Sequence, residues 1–211
     1  IMAISKIDVA NMLTGTTPVA NGGTGVTSAD EIGNIVLIKK QVISASVASV
    51  EFKNGTNGVV FDNTYDIYQM YCHDMITATS NQKIDIDVSF DTGANYKTAS
   101  YRSSAFRSYH GASGNGSNNN TRTGDIQTLN INTKSTTAGG TINGLVTFYN
   151  PSNSSKNPII KFEFVGYDGD YQINNFGGSA HETDGDIDAF RIIGNGANLT
   201  GGTFTLYGVR T

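Results

Sequence analysis

From Val36 onward, apolar and polar residues alternate with a period of two. The alternation is unbroken over residues 84–91, where Ile84, Ile86 and Val88 lie on one side of the chain and acidic or hydroxyl residues on the other. A strand with one buried face has this pattern, because successive side chains point to opposite faces of a sheet. The segment therefore predicts a half-buried β-strand.

Further segments carry the same signal. Residues 141–150 place Ile142, Val146 and Phe148 on one face, and residues 159–165 place apolar side chains opposite Lys161 and Glu163. The C-terminal segment alternates through Phe204, Leu206 and Gly208. The remaining strand candidates are residues 47–52, 59–61, 65–75, 125–132 and 188–193.

Turn-forming dipeptides separate these candidates, among them Asn54-Gly55, Thr92-Gly93, Asp168-Gly169 and Asn195-Gly196. No helical period of ten residues or more occurs after Val36. Many short antiparallel strands at this spacing predict an all-β fold, namely an antiparallel two-sheet sandwich of the jelly-roll type.

Two long stretches lack the alternation and are predicted to be irregular loops: residues 95–124 and 166–186. Loops of this length inside a compact domain are usually functional or disordered. The first contains many aromatic and basic side chains, which favours a functional loop.

Residues 1–33 differ from the rest of the chain. Ile4, Ile7, Val9, Met12 and Leu13 are too apolar to stay exposed and too few to form a core. Burial between identical chains would cover them, so we expect an extended segment at 1–33 and a head domain at 34–211. A short helix over residues 3–13 remains an alternative.

The segment Leu13-Thr14-Gly15-Thr16-Thr17-Pro18-Val19-Ala20-Asn21-Gly22-Gly23-Thr24-Gly25 closely resembles the LTGTLPVANGGTG-type segment of bacteriophage tail-fibre proteins. In those proteins it lies between a repetitive shaft and a distal head domain. The alternative, a Gly/Thr linker without particular identity, stays open.

Two more segments resemble the head domains of tail fibres. Tyr65-Asp66-Ile67-Tyr68-Gln69-Met70-Tyr71, followed by Asp91-Thr92-Gly93-Ala94-Asn95-Tyr96, resembles their "YDxYxL…D-x-G-x-x-Y" layout, and Gly201-Gly202-Thr203-Phe204-Thr205-Leu206-Tyr207-Gly208-Val209 resembles their terminal strand. Asp91 is expected to cap the Thr92-Gly93 turn through its carboxylate. The resemblance implies a virion protein at the tip of a tail fibre, made in the host cytoplasm, which forms a homotrimer and joins other tail proteins through its N-terminal side.

Composition and charge agree with this interpretation. The net charge is −4, and no cluster of basic residues exceeds Lys39-Lys40, so we expect no nucleic-acid partner. The single Cys72 excludes an intrachain disulfide, as suits a protein that folds in a reducing cytoplasm. No apolar run approaches the length of a membrane span, so membrane insertion is not expected.

Catalysis is not expected. Asp184, Asp186 and Asp188, next to His181 and Glu182, form the densest acidic cluster, but their spacing does not fit an EF-hand. We therefore expect a solvated loop, with no metal and no cofactor; calcium binding is the alternative. Glycoside cleavage would need two facing carboxylates, which the sequence cannot place.

Sugar binding needs aromatic faces together with groups that form directional hydrogen bonds. The two predicted loops combine both classes of side chain. The candidate receptor-binding residues are Tyr96, Tyr101, Arg102, Phe106, Arg107, Tyr109, His110, Asn118 and Tyr171. The alternative is that these aromatics pack against the sandwich or against a neighbouring protomer.

The sequence thus predicts a receptor-binding tail-fibre head that attaches to a host-surface receptor, a glycan or an outer-membrane component. A structural decoration or collar protein of the virion without receptor binding is the first alternative. A tailspike-like glycanase is the second.

Overall fold

A computed structural model describes residues 34–80, 82–112, 114–125, 127–132, 140–167 and 171–210. This part of the chain is all-β and contains no helix. Its strands form two sheets in which every neighbouring pair is antiparallel. The predicted all-β, two-sheet antiparallel class is therefore confirmed. The predicted extended segment at 1–33 lies outside the described residues.

The strands, in chain order, are β1 (Ile35–Ile43), β2 (Ser49–Lys53), β3 (Ile67–Thr77), β4 (Lys83–Ser89), β5 (Ala99–Gly111), β6 (Gly114–Asp125), β7 (Gln127–Asn132), β8 (Ile142–Tyr149), β9 (Ile159–Tyr167), β10 (Tyr171–His181), β11 (Ala189–Asn195) and β12 (Leu199–Val209). The larger sheet has eight strands in the order β1-β12-β3-β8-β9-β10-β5-β6. The smaller sheet has four, in the order β2-β11-β4-β7.

The core lies between the two sheets and follows the predicted alternation. Phe148, Phe162, Phe204 and Leu206 have no exposed surface, whereas Glu163, one residue beyond Phe162, is exposed. Phe61, Phe148 and Phe190 form an aromatic cluster with ring centroids 4.6 to 5.3 Å apart. Such pairs add about 1 kcal/mol each beyond the apolar area that they bury.

The prediction of two irregular loops is wrong. Residues 95–124 contain most of the hairpin β5–β6, and residues 166–186 contain β10. The sequence conceals these strands because β5 mixes apolar and polar side chains on both faces and β6 (GNGSNNNTRTGD) has no large apolar residue. Without one uniformly apolar face, a strand shows no period of two in hydropathy.

Two local predictions have different outcomes. The prediction of a strand at 59–61 is wrong, because this segment is a loop. Phe61 is buried there, and its backbone N–H donates to Oδ1 of Asn54. The Asp91 cap is confirmed, because its Oδ1 accepts hydrogen bonds from the N–H of Asn95 (2.8 Å) and the hydroxyl of Ser89 (2.6 Å). These bonds hold the pKa of Asp91 near 2.

Candidate functional site

Four strands extend the larger sheet beyond β8 and create the surface on which the candidate residues lie. β9 pairs with β8, β10 with β9, β5 with β10 and β6 with β5. The two regions predicted to be loops are thus neighbouring strands, with Tyr171 opposite Gly111 and His181 opposite Tyr101. We call β9, β10, β5 and β6 the extension.

The face of the larger sheet that points away from the smaller sheet is its outer face. Apart from Val60, the exposed large apolar side chains of the described residues all lie on it: Ile35, Leu37, Val42, Tyr71, Tyr149, Ile159, Val165, Tyr167 and Phe176. Monomeric proteins rarely leave large contiguous apolar surface in water, so this face is a candidate contact surface.

An open groove of about 790 Å³ crosses the outer face from β3 to β10. Its lining combines aromatic rings with amide, imidazole and carboxylate groups, supplied by Tyr71, His73, Asn143, Leu145, Glu163, Val165, Asn174 and Phe176. We call it the outer groove. A lining of this kind can contact flat apolar faces and also form directional hydrogen bonds.

Two exposed rings border the outer groove. Tyr71, 45% exposed, packs edge-on against Tyr207 with centroids 5.6 Å apart. Phe176, 53% exposed, lies 5.4 Å from Phe106 on the neighbouring strand. Each ring is thus supported on one side and open on the other, which leaves an aromatic surface free to stack on a ligand.

A second aromatic group lies where the hairpins turn, on the opposite face of the extension. Tyr109 and Tyr171 contact edge-to-face at 5.4 Å, and the guanidinium of Arg107 lies 5.4 Å from the Tyr109 ring. Gly116 on β6 makes room for this ring, since a Cβ there would come within 2.5 Å of the Tyr109 hydroxyl oxygen. Both tyrosines are partly buried against the core, so they support the extension more than they offer surface.

The structure divides the predicted site residues between different environments. Phe106, together with the exposed Arg102 and His110, lies on the outer face, and Arg102 is ion-paired with Glu182. Tyr101 is only 1% exposed, so this residue belongs to the core and offers no surface to a receptor. The backbone of Asn118 pairs with Arg107 in the β5–β6 ladder, but its side chain lies outside the described part.

Tyr96 closes the turn after β4 and lies far from the outer face. It forms an isolated bridge with Ser89, and its ring lies 4.4 Å from the guanidinium carbon of Arg191. Burial raises the pKa of its hydroxyl. Its contacts are those of a residue that covers the smaller sheet, not of one that meets a ligand.

Sequence reasoning missed most of the outer groove, above all Tyr71, Glu163, Val165, Asn174 and Phe176. A signal was available for some of them. Tyr71 and Val165 occupy outward positions of alternating strands, where solvent-facing sheets normally carry polar residues. Phe176 could not be found in this way, because β10 was not recognised as a strand.

The acidic cluster has structural contacts in the folded chain. Asp188 binds Thr92, Glu182 pairs with Arg102, and His181 is buried with its ring against Phe90 and Tyr101. No group of three metal-ligating side chains within the described ranges has the geometry to hold a metal ion. The calcium alternative has no support from these contacts.

Asp85 and Asp87 on β4 lie on the side of the strand away from the core, as the alternation predicts, and are nevertheless fully buried. Arg191 donates to Oδ2 of Asp87 from both Nε and a terminal nitrogen at 2.8 Å, and Asn195 donates to Asp85 at 2.8 Å. Burial raises the pKa of Asp87, and the Arg191 guanidinium opposes that rise. The Asp87–Arg191 ion pair thus joins β4 to β11, and we interpret its role as structural.

Comparisons with protein families, with curated proteins and with solved structures found no match. In the part of the chain that the structure describes, no helix is long and apolar enough to cross a membrane.

Proposed function

We propose that this chain is the distal receptor-binding head of a bacteriophage tail fibre. It forms a homotrimer on the virion and attaches the virion to a host-surface receptor, for which a glycan is the chemical class that fits the outer groove. The N-terminal side joins the head to other tail proteins. The proposal combines the resemblance of three sequence segments to tail fibres with the geometry of the outer groove.

The strand order supports the jelly-roll part of the proposal. When the extension is set aside, the larger sheet has the order β1-β12-β3-β8 and the smaller sheet β2-β11-β4-β7. In the larger sheet β1 lies beside β12 and β3 beside β8, and in the smaller sheet β2 lies beside β11 and β4 beside β7. Each pair of successive strands, such as β1 and β2, thus has one member in each sheet. This nested arrangement is the order expected for the two Greek keys of a jelly roll. The extension is then made of two inserted hairpins.

The single observation that carries the receptor-binding proposal is the composition of the outer groove. Exposed rings of Tyr71 and Phe176 border it, and Asn143, Asn174 and Glu163 supply hydrogen-bonding groups. A sugar offers apolar ring faces and hydroxyl groups to the same partner, so it matches such a lining.

The direction of the strands supports a distal position for the hairpin end of the extension, toward which the outer groove extends from the middle of the face. The first residues of β1 and β9, Ile35 and Ile159, lie at the same end of the larger sheet. Asn34, which links β1 to the upstream part of the chain, is at this end as well. The extension ends at the opposite end, where Gly111 pairs with Gly114 and Tyr167 with Gln172. The two ends of β9 are about 26 Å apart at ~3.3 Å per residue. In a fibre, the hairpin end would point toward the host.

Binding is favoured over glycan cleavage. Of the described residues that line the outer groove, only Glu163 is a carboxylic acid, and its carboxylate is ion-paired with Lys161. Glycosidases generally need two carboxyl groups about 5 to 10 Å apart across the scissile bond. The outer groove gives no such pair.

The experiment measures adsorption of the full chain to host cells. Replacing Tyr71 and Phe176 together by Ala should reduce adsorption sharply, about fivefold per ring at ~1 kcal/mol each and more through avidity in a trimer. Because both rings are about half exposed, the melting temperature should change little. Val60→Ala, an exposed apolar position off the outer face, is the matched control. Unchanged adsorption by the double variant would contradict the proposed site, and a wild-type chain that adsorbs to no host would favour the structural virion protein.

A further inference from the structure

An unbroken row of apolar side chains crosses six strands of the outer face at the end where the upstream chain enters. The registers place Ile35 opposite Val209, Val209 opposite Ile67, and Ile67 opposite Tyr149. They continue from Tyr149 to Ile159 and on to Ala180. Ile35, Tyr149 and Ile159 are 58%, 39% and 54% exposed. We call these six residues the apolar row.

The composition of the apolar row differs from that of the outer groove on the same face. The outer groove mixes rings with amides and a carboxylate, whereas the apolar row has the Tyr149 hydroxyl as its single side-chain polar group. A row without amides or charges offers a sugar few hydrogen bonds. It suits contact with another apolar protein surface.

Two basic side chains beside the apolar row are ion-paired within the same chain. The row ends at Arg102, which is ion-paired with Glu182, and the next row along the strands contains Lys161, which is ion-paired with Glu163. A face of one sign would repel an identical face and would point to a partner of opposite charge. A balanced face carries no such preference, so identical copies can meet there without like-charge repulsion.

We propose that the apolar row is the place where copies of this chain contact one another. This proposal rests on the homotrimer of the proposed function and identifies the surface through which the three chains contact one another. Each copy turns the entry end of its outer face toward the assembly axis, and the apolar row of one copy packs against the entry end of the next. The outer groove begins two outward rows further along the strands, at Glu163, and remains open to a ligand.

The size of the apolar row explains why the head is only part of the contact. Six strands at ~4.8 Å and one outward row of ~7 Å give roughly 29 by 7 Å, or about 200 Å². A stable interface buries about 800 Å² per partner. The remainder has a candidate source in residues 1–33, which precede Asn34 in the chain and include further apolar residues. The proposal therefore predicts one association surface that continues from the upstream segment into the head.

The experiment introduces a charge into the apolar row of the full chain. Ile159→Glu is suited to it, because this side chain is half exposed and its loss leaves no cavity in the core. Val60→Glu adds the same charge at an exposed apolar position away from the outer face and is the matched control. Sedimentation equilibrium over a range of concentrations gives the assembly mass, and circular dichroism checks the fold.

The wild type and Val60→Glu should have the mass of three chains. Ile159→Glu should raise the concentration at which the assembly dissociates at least tenfold while the β-signal remains. If Ile159→Glu fails to fold, Ile35→Glu on β1, 58% exposed and within the apolar row, provides the same test. A dissociation curve that superimposes on that of the wild type, or a monomeric wild type, would overturn the proposal.

Adsorption separates this inference from the proposed function. A wild type that adsorbs to host cells and whose mass is unaffected by Ile159→Glu contradicts only the contact surface. A mass of two chains that Ile159→Glu reduces to one would keep the surface and contradict the threefold assembly. A trimer that adsorbs to no host but dissociates on Ile159→Glu contradicts only receptor binding.

Discussion

The carboxylate of Asp188 holds Thr92 through two hydrogen bonds, from the backbone N–H at 2.7 Å and from the hydroxyl at 3.1 Å. Thr92 has a φ of 57°, in the left-handed region that β-branched residues avoid. Asp188 therefore stabilises a strained turn after β4 from a position just before β11. This structural role accounts for the most C-terminal carboxylate of the acidic cluster.

We expect Asp188→Ala to destabilise the fold by about 1 to 2 kcal/mol, because Thr92 would lose two partners in a strained conformation. For a chain of this size, the melting temperature should fall by roughly 2 to 8 °C. Asp184→Ala, at an exposed position in the same loop, is the control and should have little effect. Adding Thr92→Gly should restore part of the loss, since glycine adopts this φ without strain. A loss equal to that of Asp184→Ala would contradict this account.

Chelation provides a separate prediction. Asp188 accepts hydrogen bonds from Thr92, and Glu182 is ion-paired with Arg102. If these contacts are the role of the two carboxylates, EDTA should leave the melting temperature of the wild type unchanged. A bound cation would stabilise the folded state by linkage and would be lost with the chelator. A fall of several degrees that Ca²⁺ reverses would contradict the structural account and favour calcium binding.

Arg191→Met tests the buried ion pair with Asp87. The substitution leaves a fully buried carboxylate without its cation, so the free energy of unfolding should fall by about 3 kcal/mol. Lys161→Met is the matched control: it removes an ion pair whose side chains are both half exposed, which should cost less than about 1 kcal/mol. Denaturant titration at one protein concentration gives the free energy of unfolding of each variant. Equal losses in the two variants would contradict the prediction that the buried ion pair matters more.

Tyr101→Phe tests whether this residue acts in the core. The hydroxyl accepts a hydrogen bond from the N–H of Val88 (3.1 Å) and donates one to the carbonyl of Lys97 (3.0 Å). Losing it should cost about 1 to 2 kcal/mol of stability and leave adsorption to host cells unchanged. Reduced adsorption with unchanged stability would instead return Tyr101 to the receptor site.

Asp91 gives a dependence of stability on pH. Hydrogen bonds from Ser89 and Asn95 lower its pKa from 3.8 to about 2. A carboxylate whose pKa is lower in the folded state than in the unfolded state stabilises the fold at any pH above its unfolded-state pKa. This stabilisation is lost as the pH falls through the folded-state pKa. The wild type should therefore lose more stability than Asp91→Asn between pH 4 and about 2. Parallel melting-temperature profiles of the two proteins over that window would contradict this prediction.

The sequence predicted those strands whose two faces differ in polarity. β9 alternates Ile160, Phe162 and Phe164 against Lys161 and Glu163, and its structure follows the pattern. β5, β6 and β10 could not be found, because their neighbours in the sheet, and not a uniform apolar face, determine their conformation. Tertiary pairing decides strand formation in such segments.

The candidate site was predictable only in part for the same reason. One residue predicted from the sequence lies next to the outer groove, since Phe106 is on the strand beside Phe176. Sequence reasoning could not separate the buried Tyr101 from the outward Phe106, five residues away on one strand, without knowing that the segment is extended. The outer groove itself needs residues from four strands, of which three contribute residues from outside the predicted loops.

The way the extension attaches to the sheet has a consequence for how such a protein can vary. An open sheet has a row of backbone groups without a partner strand at each of its two edges, and adding a hairpin at one edge only moves that row outward. The jelly-roll order would end at β8, whereas the present sheet ends at β6. The number of unpaired edges is the same in both cases. The sheet could therefore be lengthened or shortened by whole hairpins, and its outer face with it, at little cost in unsatisfied backbone groups.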